Sequence, residues 1–138
     1  MGQALRLASN FVVMKDDFEA DVVAVGPGLH QRLDAEFDGC KGWLLISSRA
    51  FDADWPSWER HPAGDEFIIL VPGDADMRIS TAAGVDTTRM TEPGTFVIVP
   101  RGAWHTARIR RPSVMLFVTP GEGTENRDTP APGGAPHG

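Results

Sequence analysis

Residues Gly94–His105 read GTFVIVPRGAWH. Phe96–Val99 is a short run of apolar and mostly β-branched residues, the pattern of a strand. Pro100 ends it, because a proline has no N–H to give to a ladder. Gly102 allows a tight turn, and WHTARIR begins a new extended run at Trp104. Side chains alternate along a strand, so His105, Ala107 and Ile109 share one face while Trp104, Thr106 and Arg108 share the other. A histidine beside an alanine has room for a ligand.

A second stretch lies upstream. Trp58–Phe67 reads WERHPAGDEF, one histidine and three carboxylates within ten residues. In an extended chain Glu59 and His61 point the same way. A turn at Pro62–Asp65 is expected to reverse the chain into EFIILVPG, with Glu66 on the face of Ile68 and Leu70. Glu66 and His61 then converge from adjacent strands, and Asp65 points out or belongs to the turn.

Nine β-like runs, punctuated by 15 Gly and 11 Pro, occupy most of the chain from Phe11 to Thr119. This reads as an all-β sandwich or barrel. One segment, LHQRLDAEF (Leu29–Phe37), is helical in pattern, with Leu29, Leu33 and Phe37 on one stripe. After Thr119 little bulky apolar material remains, and the chain from Asn126 onward is expected to be loose. The 138 residues fit one domain. Its divisions are N-terminal strands and helix (1–42), a barrel core (43–120) and a tail (121–138).

The net charge of −6, with no basic stripe, argues against nucleic acid as the partner. No apolar run is long enough to span a membrane. Cys40 is the single cysteine, which excludes an intrachain disulfide and points to a reducing cytoplasm. Arg6 stands where a myristoylation signal wants Ser or Thr, so an unmodified N-terminus is expected.

Together the two stretches resemble the cupin superfamily. Its second motif, G-x5-P-x-G-x2-H-x3-N, is matched by Gly94, Pro100, Gly102 and His105, with Ile109 in place of Asn. Its first motif, G-x5-H-x-H-x3-4-E-x6-G, is matched by His61, Glu66 and Gly73. Ala53 replaces the first Gly, and Glu59 replaces the first His. The resemblance covers about Trp43–Thr119. It implies a double-stranded β-helix, or jelly-roll barrel, pairing as a homodimer. It also implies a divalent metal held by His61, Glu66 and His105, with Glu59 at the remaining ligand position.

Two histidines and one carboxylate suit Fe(II) with open coordination sites. Adding Glu59 makes the set harder and admits Fe, Mn or Zn. A metal also explains two glutamates side by side inside a barrel, where like charges otherwise push one pKa up. The function expected is metal-dependent dioxygenase or isomerase chemistry on a small oxygen-rich or carboxylated metabolite, with Glu59 and His105 acting in it. Two other readings fit the same residues: a non-catalytic ligand-binding or sensor cupin, and a metal-free epimerase-like cupin using His61 or His105 as base. The bland reading of Glu59 is an ion pair with Arg60 or Arg101. His30 and His137 are expected to be exposed and inert, Cys40 to be a partly buried small residue, and Trp55 or Trp58 to cover the barrel mouth. Arg89, Arg101 or Arg108 reaching that mouth would suit a carboxylate.

Overall fold

A computed structural model describes residues 2–128. The strands are β1 (Asn10–Met14), β2 (Ala20–Ala24), β3 (Leu44–Phe51), β4 (Trp58–Arg60), β5 (Glu66–Leu70), β6 (Asp74–Thr81), β7 (Gly84–Met90), β8 (Phe96–Val99), β9 (His105–Arg111), β10 (Ser113–Pro120) and β11 (Glu125–Arg127). They form two antiparallel sheets. One has the order β2-β1-β3-β10-β5-β8 and the other β11-β4-β9-β6-β7. Ile68, Leu70, Ala75, Met77, Val99, Ala107, Met115 and Phe117 fill the space between them.

The one α-helix among the described residues, α1 (Leu29–Glu36), follows Gly28, whose φ of 81° is a left-handed conformation that glycine adopts without strain. The expected stripe is present. Leu33 is buried with Val13, Val23 and Cys40, and Leu29 and Phe37 pack at its sides. The helix thus roofs the sheet extension made by β1 and β2. No described helix is long and apolar enough to cross a membrane.

Strand periodicity sorts the six-stranded sheet into two unlike faces. On β10 the residues Ser113, Met115, Phe117 and Thr119 are buried, while Val114, Leu116, Val118 and Pro120 are half-buried on the outside. The outer face is apolar across the whole sheet. Val22, Val12, Ile46, Val118, Phe67 and Ile98 are successive cross-strand partners, one from each strand. Leu116 lies beside Ile69, and Ile69 beside Phe96, in the neighbouring row.

Two expectations change. Pro62–Asp65 does not close a hairpin, because β4 and β5 lie in different sheets. The turn is a corner that carries the chain across the barrel, and the two motif turns hold each other there. Gly102 N–H donates to His61 O at 3.0 Å. Arg101 N–H donates to Asp65 Oδ1 at 2.7 Å. A β4–β5 hairpin would have stacked Glu59, His61 and Glu66 on one sheet, whereas the corner sets Glu66 opposite the other two. The second change is at Asn126 and Arg127, which form part of β11 paired with β4. Arg60 fixes this edge through Glu125 at 2.8 Å. His137 lies outside the described residues, as does most of the segment expected to be loose.

Candidate metal centre

Glu59 on β4 is the cross-strand partner of His105, the first residue of β9. His61 follows β4 directly, and Glu66 opens β5 on the facing sheet. The burial pattern puts Glu66 on the inward face with Ile68 and Leu70. All four residues meet, with one ligand-type atom from each within 4.8 Å of the others. His61, Glu66 and His105 are almost completely buried, whereas the Glu59 side chain is 23% exposed. Glu59 does not pair with an arginine: Arg60 goes to Glu125, and Arg101 is held through its backbone.

The outer hydrogen bonds decide what faces inward. His105 Nδ1 lies 3.1 Å from the Ala103 carbonyl, which can only accept, so Nδ1 carries the proton. Thr124 Oγ1 donates to Gly121 O at 3.1 Å, leaving its lone pairs for His61 Nδ1–H at 2.9 Å. With Nδ1 so committed, each ring turns its Nε2 to the centre, and that atom is bare whenever the ring is neutral. Thr119 Oγ1 donates to Glu66 Oε2 at 2.6 Å, and Glu66 Oε1 points inward. With both rings neutral, the groups facing the centre would be acceptors only.

Their separations are those of ion pairs. His105 Nε2 is 3.0 Å from Glu66 Oε1 and 3.7 Å from Glu59 Oε1. His61 Nε2 is 3.1 Å from Glu59 Oε1 and 3.2 Å from Glu66 Oε2. Yet His61 Nε2, His105 Nε2 and Glu66 Oε1 are buried without an aligned hydrogen bond. Close approach of acceptors without N–H directionality calls for a cation, either shared protons or a metal ion. Without a metal, protons must serve. Burial disfavours the charged His61 ring, but the Glu59 and Glu66 carboxylates outweigh it and push His61 up to about 9. Burial likewise disfavours the charged Glu66 carboxylate, but His105 and His61 outweigh it and hold Glu66 at about 2. Two imidazoles fixed by outer acceptors and two carboxylates fit a divalent cation.

A cavity of about 640 Å³ opens beside the centre, and Glu59, His61 and Glu66 form part of its wall. Phe11, Leu29, Leu33, Leu45 and Phe117 line much of the rest. Trp55 packs against Phe51, Phe117 and the His105 ring, 6.0 Å away, behind the centre. Trp58 lies with Trp104 in a separate cluster. His30 is exposed, as expected, but it stands on the cavity rim. Cys40 also lines the cavity, and burial pushes its thiol up, which makes it a poor nucleophile. Arg89 is committed to Asp74 at 2.8 Å. None of Arg89, Arg101 and Arg108 reaches the cavity; the arginine that does is Arg49.

Thr119 and Arg49 escaped the sequence reading although strand alternation marks both as inward-facing. Thr124 has no such signal, because it reaches His61 from a turn.

No protein-family model matches the chain, and no curated protein matches it. Solved structures do. An oxalate oxidase structure superposes with a TM-score of 0.51 at 15% identity, over 59% of this chain and 44% of the other. The fold is that of the cupin superfamily. Peruvianin-I, a cysteine peptidase from Thevetia peruviana latex, gives the same TM-score and identity over 59% of this chain and 54% of its own. A cupin superfamily protein from Desulfitobacterium hafniense is 20% identical over 55% of this chain and 65% of its own, with a TM-score of 0.47. The chain spans about half the length of the solved structures it matches. An oxidase and a peptidase superpose on this chain equally well, so the likeness shows the fold alone and function must be argued from the centre itself.

Proposed function

We propose that this chain is a divalent-metal-dependent cupin enzyme, of dioxygenase or isomerase type, acting on a small oxygen-rich or carboxylated metabolite. One observation carries the reading: three polar atoms that meet at the barrel centre, His61 Nε2, Glu66 Oε1 and His105 Nε2, are buried without a hydrogen bond. His61, Glu66 and His105 would hold the metal, with Glu59 as a fourth ligand. Fe, Mn and Zn all suit this donor set. Once bound, such a cation supplies a Lewis acid at the cavity wall and, if it is iron, an oxygen-activating centre. Glu59, the most exposed of the four, faces the cavity and is the group placed to take a proton from a bound molecule.

Elemental analysis of the purified protein tests this. Stoichiometric metal, lost in His105→Ala, is the expected result. No uptake at saturating Fe, Mn or Zn would overturn it. Glu59 in place of histidine favours a second reading, a non-catalytic ligand-binding cupin. Metal-loaded protein that neither consumes oxygen nor isomerises any member of a panel of small acids would support that alternative.

The partner best suited to the outer face of the six-stranded sheet is a second copy of the chain. The row from Val22 to Ile98 crosses six strands without a charged residue. Phe96 is 56% exposed, Val22 52% and Ile98 48%. An apolar patch this continuous is unusual on a monomer, and homo-oligomers most often close as twofold pairs.

A further inference from the structure

We infer that the cavity mouth is a carboxylate site in which Arg49 receives the carboxylate of a small acid and the wall under α1 receives its apolar body. This rests on the proposed function and narrows its substrate class.

Arg49 lies on β3, opposite the buried Met115 of β10, and so belongs to the inward-facing set Leu45, Ser47, Arg49 and Phe51. Arg49 is exposed at the cavity mouth, so its donors are open to a ligand. Among the described residues Arg49 forms no ion pair and no side-chain hydrogen bond. Its guanidinium lies 5.3 Å from the centre of the Phe51 ring, a stack that orients the planar fork without using its donors. Arg49 and Glu59 line the same cavity, yet Glu59 is turned to His61 and His105. Asp34 also lines this cavity and is not within ion-pair distance of Arg49.

Charge selects the ligand. A dication at the centre is balanced by the Glu59 and Glu66 carboxylates, which leaves the guanidinium and the Asp34 carboxylate as separate charges of the wall, unpaired among the described residues. A carboxylate accepts two parallel N–H bonds from that fork. Shape selects the rest of the molecule. Phe11, Leu29, Leu33 and Leu45 form an apolar wall, and about 640 Å³ is in the range that accommodates whole small-molecule ligands. A second carboxylate would be buried against that wall without a partner. The class is therefore a monocarboxylate with an aromatic or branched aliphatic body.

Calorimetric titration of the full chain, metal-loaded and metal-free, with phenylacetate, 4-methylpentanoate, malonate and the neutral phenylacetamide tests this. Phenylacetate should bind at least about tenfold more tightly than the amide or malonate. Arg49→Gln should remove that preference with metal content unchanged, and Arg49→Lys should restore part of it. Leu33→Asn should weaken phenylacetate and 4-methylpentanoate together. Equal binding of acid and amide, or wild-type affinity in Arg49→Gln, would overturn the inference, as would no measurable binding of either apolar acid. A preference lost on metal removal but kept in Arg49→Gln would place the carboxylate on the metal and also overturn it. Arg49-dependent binding by a protein that takes up no metal would uphold this site and sink the proposed metal enzyme instead.

Discussion

Thr119 fixes Glu66 Oε2 at 2.6 Å, on the His61 side, and so turns Oε1 toward His105 at 3.0 Å. Thr119→Val keeps the shape and removes the donor. Outer partners of this kind are worth about 10–100-fold in metal affinity. Competition against a chelating indicator should show a loss of that order, and unchanged affinity would mean that packing alone sets Glu66. The same residues set the pH response of metal-free protein. His61, raised to about 9, contributes stability that is full below its ordinary 6.5 and is lost as pH rises through 9. Glu66, lowered to about 2, contributes stability present above its ordinary 4.5 and lost as pH falls toward 2. Thermal scans in chelator should therefore peak between those ordinary values and decline on both sides. Added metal should flatten the alkaline decline, since it takes the place of the imidazole proton. A metal-free profile flat from 6.5 to 9 would show that the carboxylates do not hold His61. At this scale the four central residues were legible from motif spacing and alternation. The groups that aim them were not: Thr124 sits in a turn without periodicity, the Ala103 carbonyl is backbone, and Thr119 lies on β10, outside both motifs.

Gly73 joins β5 to β6 with φ at 145°, where a side chain is strained. A Cβ there would lie 2.6 Å from Ser113 Cα and collide with the Ser113 side chain as well. That side chain cannot simply swing away, because it accepts from Asp74 N–H and donates to Arg111 O. Gly73→Ala should cost on the order of 3 kcal/mol, combining backbone strain with overpacking. Denaturant unfolding would measure it, and a loss under 1 kcal/mol would mean that the β9–β10 corner yields. The nine longer strands were readable from period-two alternation. β4 and β11, three residues each, were too short for any periodicity, and β11 lies in a polar stretch that reads as coil. Nor can periodicity tell a hairpin from a corner between sheets, which is why β4 and β5 looked like neighbours.

A continuous apolar sheet face is a property of the molecule, visible once register aligns residues from six strands. Leu116 sits within it, opposite Ile69 and Ser48. Leu116→Glu should convert a dimer into a monomer in chromatography with light scattering at micromolar concentration. A monomeric wild type would refute the pairing. The charge should leave metal binding intact, since Leu116 faces away from the barrel centre. The other end of the molecule is joined to that centre by one hydroxyl. Thr124 belongs to the turn that leads into β11, and Arg127 of that strand lies over the Trp104 ring at 5.4 Å. A protease cutting at Gly121–Thr124 would strip the acceptor from His61 and uncover an indole in the same event. Resistance to clipping at that turn is therefore an optical and electrophoretic readout of whether the centre is filled.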